Sequence, residues 1–180
     1  MLMTKVLRQV LQGFSDIMHQ QQYAKGYQIH REQTICQRLY FVKSGVLRAY
    51  YYKDGKDITA YLAVDHGMVT AVDSFIQKKA SRFNIETLED TTVLTTTRSD
   101  LENFLNQHPQ FEPTARLFLE ELYMELADRL ESMMFHTAQE RYEALIAQNP
   151  DIIQRVSLGH IASYLGITQE TLSRVRAAAR

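Results

Sequence analysis

The sequence predicts an α+β chain. Residues 1–108 form an antiparallel β-roll of jelly-roll type with flanking helices, 109–137 a long helix, and 138–180 a helix-turn-helix. Three observations carry this prediction. Between Tyr27 and Leu94, β-branched and aromatic residues come in short runs separated by turn signals. From Phe111 the apolar period becomes helical and stays so for more than twenty residues. Near the end, two short amphipathic segments meet at Gly166. A chain of 180 residues can bury one substantial core and carry a small appendage.

In chain order, Val6, Leu7, Val10, Leu11 and Phe14 mark an amphipathic helix that covers the roll and runs into a turn at Gln20-Gln21-Gln22. Strands are expected at 39–42, 46–52, 58–64, 85–88 and 92–96. Ser44-Gly45, Asp54-Gly55, His66-Gly67 and Glu89-Asp90 separate them, and Asp54-Gly55 is a two-residue hairpin signal. Ser99-Asp100-Leu101-Glu102 reads as a capping box that opens a short helix, and His108-Pro109 closes it. In the long helix Leu119, Leu122, Leu126 and Met133 keep a four-three spacing, flanked by Phe118 and Leu130, with the acidic residues largely off the stripe. A sheet covers only part of so wide a stripe. A homodimer seam of Phe118, Leu119, Leu122, Leu126, Leu130 and Met133 is therefore expected. Thr137-Ala138 marks a joint, 141–148 a short helix, and Asn149-Pro150 a stop.

Ser157 suits an N-cap, Leu158, Ile161, Ala162 and Leu165 share one face, and Gly166 sits where the turn requires positive φ. A second helix capped by Thr168 points Leu172 and Val175 inward. Thr168, Gln169, Glu170, Ser173, Arg174 and Arg176 then face outward. Gln matches adenine, Glu accepts from cytosine N4, Arg forks onto guanine, and hydroxyls reach phosphates. The expected partner of this face is double-stranded DNA.

Charge supports that direction. Residues 155–180 carry four arginines against Glu170, a net +3, whereas 109–131 carry two arginines against six carboxylates, a net −4. The lone Cys36 rules out an internal disulfide and a cysteine-rich metal site within one chain. The six histidines lack metal or catalytic spacing, so no metal, no required cofactor and no enzyme activity are expected. No apolar run is long enough for a membrane span and the start lacks a secretory pattern, which places the protein in the cytoplasm.

The order of roll, long helix, short helix and helix-turn-helix resembles the cyclic-AMP receptor protein and Fnr (Crp/Fnr) family of bacterial transcription regulators. The resemblance is carried by Leu39-Tyr40-Phe41-Val42-Lys43-Ser44-Gly45-Val46-Leu47-Arg48, by Ala138-Gln139-Glu140-Arg141-Tyr142, and above all by residues 161–174. It implies a cyclic-nucleotide-binding-like roll, a dimer, DNA as partner and RNA polymerase as a further partner. Against the family's Arg-Glu-Thr-x-x-Arg recognition pattern, Glu170 and Arg174 match and Gln169 replaces the first Arg. In the phosphate-binding segments Ala71 and Val72 stand where Gly and Glu would be, and Arg82 is offset by one with bulky Phe83 after it. Cyclic AMP is therefore disfavoured, and a small effector of other chemistry is expected at Tyr61, Thr70, Asp73, Ser74 and Arg82. Members usually continue into a β-hairpin wing, and no full wing is expected here. The alternative is a dimeric sensor or interaction protein with weak or lost DNA binding.

Overall fold

A computed structural model describes residues 2–178, with side chains from residue 8 onward, so Val6, Leu7 and Arg180 of the sequence reading lie outside the described side chains. Helix α1 (Leu2–Gly13) leads into eight strands: β1 (His19–Tyr23), β2 (Gln28–His30), β3 (Arg38–Ser44), β4 (Leu47–Lys53), β5 (Lys56–Ala63), β6 (Met68–Val69), β7 (Asn84–Thr87) and β8 (Thr91–Thr97). They form two four-stranded antiparallel sheets, ordered β1-β8-β3-β6 and β2-β7-β4-β5. Helix α2 (Val72–Gln77) lies between β6 and β7, and α3 (Arg98–Gln107) follows β8. The long helix α4 (Glu112–Phe135) is followed by α5 (Ala138–Gln148), α6 (Ile152–Arg155), α7 (Leu158–Leu165) and α8 (Gln169–Ala178).

Three apolar layers hold these parts. Tyr40, Val42, Leu47, Ala49, Ile85 and Val93 fill the space between the sheets. Because side chains alternate along a strand, Leu39 and Phe41 of β3 point the other way, onto Val10 of α1, Phe14 just after it, Phe104 of α3 and Phe118 of α4. The third layer joins Val46, with Leu62, Val64 and Leu88 at its edge, to Tyr142, Ile152, Ile161, Leu165 and Leu172 of the C-terminal helices. Burying a side chain such as Ile161, at 0 % exposure, stabilises by about 1.5–3 kcal/mol. The C-terminal helices are thus packed on the roll.

The turns follow local chemistry. Asp54 and Gly55 both take positive φ (51° and 72°), the backbone that matches strand twist in a two-residue hairpin. Gly45 has φ 114°, and a Cβ there would stand 2.7 Å from Thr91 Cα, so only glycine fits.

Three local expectations are corrected. Gln20-Gln21-Gln22 is strand rather than turn, paired with Thr92, Val93 and Leu94, because backbone pairing to β8 outweighs a composition with no apolar alternation. The cap of α3 is Thr97, not Ser99: its Oγ1 accepts from Asp100 N at 3.0 Å and donates to Asp100 Oδ2 at 2.6 Å. The expected turn at His66-Gly67 is present, with His66 in the left-handed conformation, φ 67°. The joint is also sharper than expected. Thr137 and Glu140 form a capping box, so α5 starts at Ala138 rather than 141.

Candidate nucleic-acid interface

Helix α7 opens at Ser157, whose Oγ accepts from His160 N at 3.3 Å, and ends at Gly166 with φ 68°. There Ile167 N donates to Ala162 O, and Gly166 N to Ser163 O, the reverse turn that a left-handed glycine permits. Thr168 Oγ1 then accepts from Thr171 N at 3.2 Å and starts α8. Ile161, Ala162, Leu165 and Leu172 are buried, and α8 is fixed against α7 through them.

The outward set is as the spacing places it for Thr168, Gln169, Glu170, Ser173 and Arg174, all exposed, while Arg176 is half-buried. Gln169 folds its amide back over α7: a Cβ built on Gly159 would lie 2.6 Å from Gln169 Nε2. Arg174 Nη2 donates to Thr171 Oγ1 at 3.2 Å. The Glu170 carboxyl is held below its usual range by its own backbone N–H at the helix start, by Thr168, and by Arg174. A carboxylate at the start of the helix is thus held in its charged form near neutrality.

Three arginines that spacing does not reveal fix this unit in place. Arg155 of α6 donates to Asp65 Oδ2 (2.6 Å), Glu89 Oε1 (2.7 Å) and Gly45 O (3.1 Å), reaching three turns of the roll. Burial alone would raise the Asp65 carboxyl, but hydrogen bonds from Arg155 and Gly45 N hold it lower. Arg129 of α4 donates to Tyr164 O at 3.0 Å and lies over the Tyr164 ring, 3.9 Å from its centroid. Arg141 of α5 donates to Leu165 O at 3.1 Å. No spacing in the sequence marks these arginines, because each meets its partner only across the fold.

A further contact crosses from roll to α7. Thr59 N donates to Ser163 Oγ at 2.9 Å. Beside it Arg48, only 3 % exposed, forks onto Asp57 (2.6 and 2.7 Å) and reaches Glu86. His160 faces this cluster, its Nδ1 buried without a partner; burial and Arg48 push its pKa down, against Asp57 and Glu86. His30 is likewise lowered by burial, against Asp73. A histidine held neutral in the fold stabilises fully above its unfolded pKa and loses that contribution as pH falls, because only the unfolded chain takes the proton readily. The melting temperature should therefore fall between pH 7.5 and about 5.5, around the ordinary histidine pKa of roughly 6.5. Replacing His30 and His160 together by Asn should flatten that slope. An unchanged slope in a melting series would refute the assignment. Glu121, raised by burial, works in the opposite sense, and the lowered Asp65 titrates below this window.

The long helix divides its surface. Leu119, Leu126 and Leu130 are 62, 55 and 63 % exposed, and Met133 is exposed beside them. Leu122 is half-buried against its own roll. Phe118 does not belong to the expected seam: it is 8 % exposed and its ring packs 5.7 Å from Phe41. Successive residues of a helix are rotated by about 100°, and that rotation aims Phe118 at the sheet while Leu119 and Leu126 look away from it.

The five expected effector residues do not form one group. Thr70, Asp73 and Ser74 gather around Cys36 and Ser81: Cys36 N donates to Ser74 Oγ (2.8 Å), Thr70 Oγ1 to Arg38 O (2.8 Å), and Ser81 Oγ to Asp73 Oδ1 (3.3 Å). Ser81 faces inward at 2 % exposure and Arg82 is exposed. Tyr61 lies elsewhere, donating to Glu125 of α4 and lining a cavity of about 970 Å³ between α4, α5 and the end of α7. Helix α2, unexpected from sequence, takes up the segment that carries Asp73 and Ser74. Among the described residues no group of three or more His, Cys, Asp or Glu is placed to hold a metal, and no helix is long and apolar enough to cross a membrane.

Comparison with known proteins agrees with this architecture. Residues 20–108 match the model of the cyclic nucleotide-binding domain. Compared by sequence with curated proteins, the chain matches none. Among solved structures it is similar to FixK2 from Bradyrhizobium japonicum (TM-score 0.70, 23 % identity, covering 90 % of this chain and 84 % of that one). It is similar to a mutant of CooA from Carboxydothermus hydrogenoformans (0.67, 23 %, 96 % and 83 %). A third is CLP of Xanthomonas campestris, a c-di-GMP-responsive global regulator of virulence gene expression (0.66, 15 %, 96 % and 91 %). Residues 20–108 are thus similar to the cyclic nucleotide-binding domain, within a chain that shares the fold of these solved structures.

Proposed function

We propose that the chain is a cytoplasmic, homodimeric DNA-binding transcription regulator of the Crp/Fnr type, reading the major groove with α8. The observation that carries this is the capped, packed α8, which presents Gln169, Glu170, Ser173 and Arg174 to solvent from a backbone held by Leu172. Two such helices joined through the exposed stripe of α4 suit successive major grooves about 34 Å apart. A cyclic phosphate is not the favoured effector. A buried phosphate requires a cation, and Arg82, which follows the inward-facing Ser81, is exposed. The c-di-GMP response of CLP motivates testing cyclic dinucleotides alongside simple anions. Any effector must bind one orientation of the α8 pair better than another to matter.

The test is a gel shift with a pool of random duplexes at low salt, followed by sequencing of the bound fraction. A selected, pseudo-palindromic site is the expected result. Arg174→Ala should weaken binding by about 1–3 kcal/mol at one base per half-site, the range for losing a fork onto guanine. Gln169→Arg should change the preferred base at a neighbouring position with little change in affinity. Absence of any shifted duplex would overturn the proposal.

A further inference from the structure

Gly159 stands in the first turn of α7, and its backbone does not demand a glycine. Positive φ is found at Gly26, Gly45, Gly55 and Gly166, and Gly159 is not among them. Alanine would adopt the same backbone freely. It would also favour the helix, since glycine gives up more conformational freedom on folding than any other residue.

The space left by the missing Cβ is taken by one group. A Cβ at residue 159 would stand 2.6 Å from Gln169 Nε2 and 3.8 Å from Gln169 Cδ, while the next neighbour, Ser157 Oγ, lies at 3.9 Å, an ordinary contact. The Gln169 amide thus crosses from the start of α8 onto the bare backbone of α7. The side-chain hydrogen bonds of α8 run among Thr168, Thr171 and Arg174 and leave this amide out. Its donors and its acceptor are therefore open to a partner, and Gln169 is exposed. Side chains on a helix lean toward its N-terminus and rest on the preceding turn. Gln169 is the first residue of α8, so α8 has no preceding turn for it to rest on, and α7 supplies that wall instead.

We infer that Gly159 is a specificity-determining position: the missing side chain lets the Gln169 amide lie over α7 and so fixes the direction in which that glutamine meets a base. Glutamine discriminates adenine only when donor and acceptor of one amide meet the base edge together, which requires a defined direction. Gly159 acts through Gln169 and is a positioning residue, with no base contact of its own. A side chain at 159 bars this placement of the amide. The obstructing atom is the far end of a flexible side chain, so Gln169 rotates outward and the two backbones stay where they are. This inference rests on the reading of DNA by α8.

The test compares the full-length wild type, Gly159→Ala, Gln169→Ala and the double variant, by thermal melting and by sequencing the duplexes each selects from a random pool. Gly159→Ala should melt no lower than the wild type. It should cut the base preference at one position per half-site from about tenfold to about twofold, and leave the other positions unchanged. Gln169→Ala should lose the same position, and adding Gly159→Ala to it should change nothing further, the non-additivity expected of two residues acting through one contact. Without DNA, the wild type should show a nuclear Overhauser cross-peak between the Gln169 side-chain amide and the Gly159 α-protons. Absence of that cross-peak, or a Gly159→Ala profile identical to the wild type, would overturn the inference. A melting point lowered by Gly159→Ala equally with and without Gln169 would also overturn it, by showing that the glycine serves packing. A wild type that gives the cross-peak yet selects no duplex would sink the DNA reading itself, and the role of Gly159 with it.

Discussion

Exchanging Leu126 and Leu130 for glutamate is expected to convert a dimer into a folded monomer and to weaken duplex binding by about a hundredfold or more. The reason lies on the outer face of α4, where these leucines are 55 and 63 % exposed. Contiguous exposed apolar surface on this scale marks an interaction face. The roll is engaged with the opposite side of the helix, through Phe118, so it cannot cover them. In the proposed homodimer, paired through this stripe, the substitution would bring carboxylates of the two copies together, a repulsion worth several kcal/mol. Because both side chains are exposed in the single chain, the melting temperature should barely change. Sedimentation equilibrium at micromolar concentration reads the mass. A wild type that sediments as a monomer, or a doubly substituted chain that keeps the wild-type mass, would refute the seam.

Replacing Arg48 by leucine should cost about 2–4 kcal/mol, at the lower end of what breaking a buried ion pair costs because Asp57 and Glu86 are partly exposed to solvent. For a chain of this length, that corresponds to a melting point lower by roughly 5–15 °C. Arg48 is 3 % exposed, whereas the Asp57 and Glu86 side chains are 36 and 20 % exposed. Its guanidinium also lies 4.1 Å from the Tyr50 ring centroid. Taking it away leaves two carboxylates facing each other beside the half-buried His160. The origin can be separated from lost volume. Adding Asp57→Asn and Glu86→Gln to Arg48→Leu should recover part of the loss if stranded charge is the cause. A triple substitution no more stable than Arg48→Leu alone would show that packing dominates.

What could be read from sequence was what depends on neighbours in the chain. The Asp54-Gly55 turn, the left-handed Gly166, the Ser157 and Thr168 caps and the inward Ile161, Ala162, Leu165 and Leu172 are all settled within about eight residues, and all stand where the spacing puts them. Strand β1 was illegible because its five residues, His19 to Tyr23, carry no apolar alternation; its place comes from pairing with β8 some seventy residues on. Phe118 was assigned to the wrong face because a period shows that a stripe exists but not which body covers each of its edges. The arginines were invisible for the same reason. Arg48 meets Glu86 across 38 positions, Arg129 meets Tyr164 across 35, and Arg155 meets Gly45 across 110. Charge that is buried by tertiary contact looks like surface charge until the contact is known.

The layer in which Val46, Leu62, Val64 and Leu88 meet Ile152, Ile161 and Leu165 has a consequence for protein engineering. The C-terminal helices borrow part of their interior from the sheet, so they are not a cartridge that can be grafted onto an unrelated sensor. A chimera would have to carry apolar side chains equivalent to those four, and acidic groups in place of Asp65 and Glu89 to receive Arg155, or it would expose the underside of the transplanted helices to water.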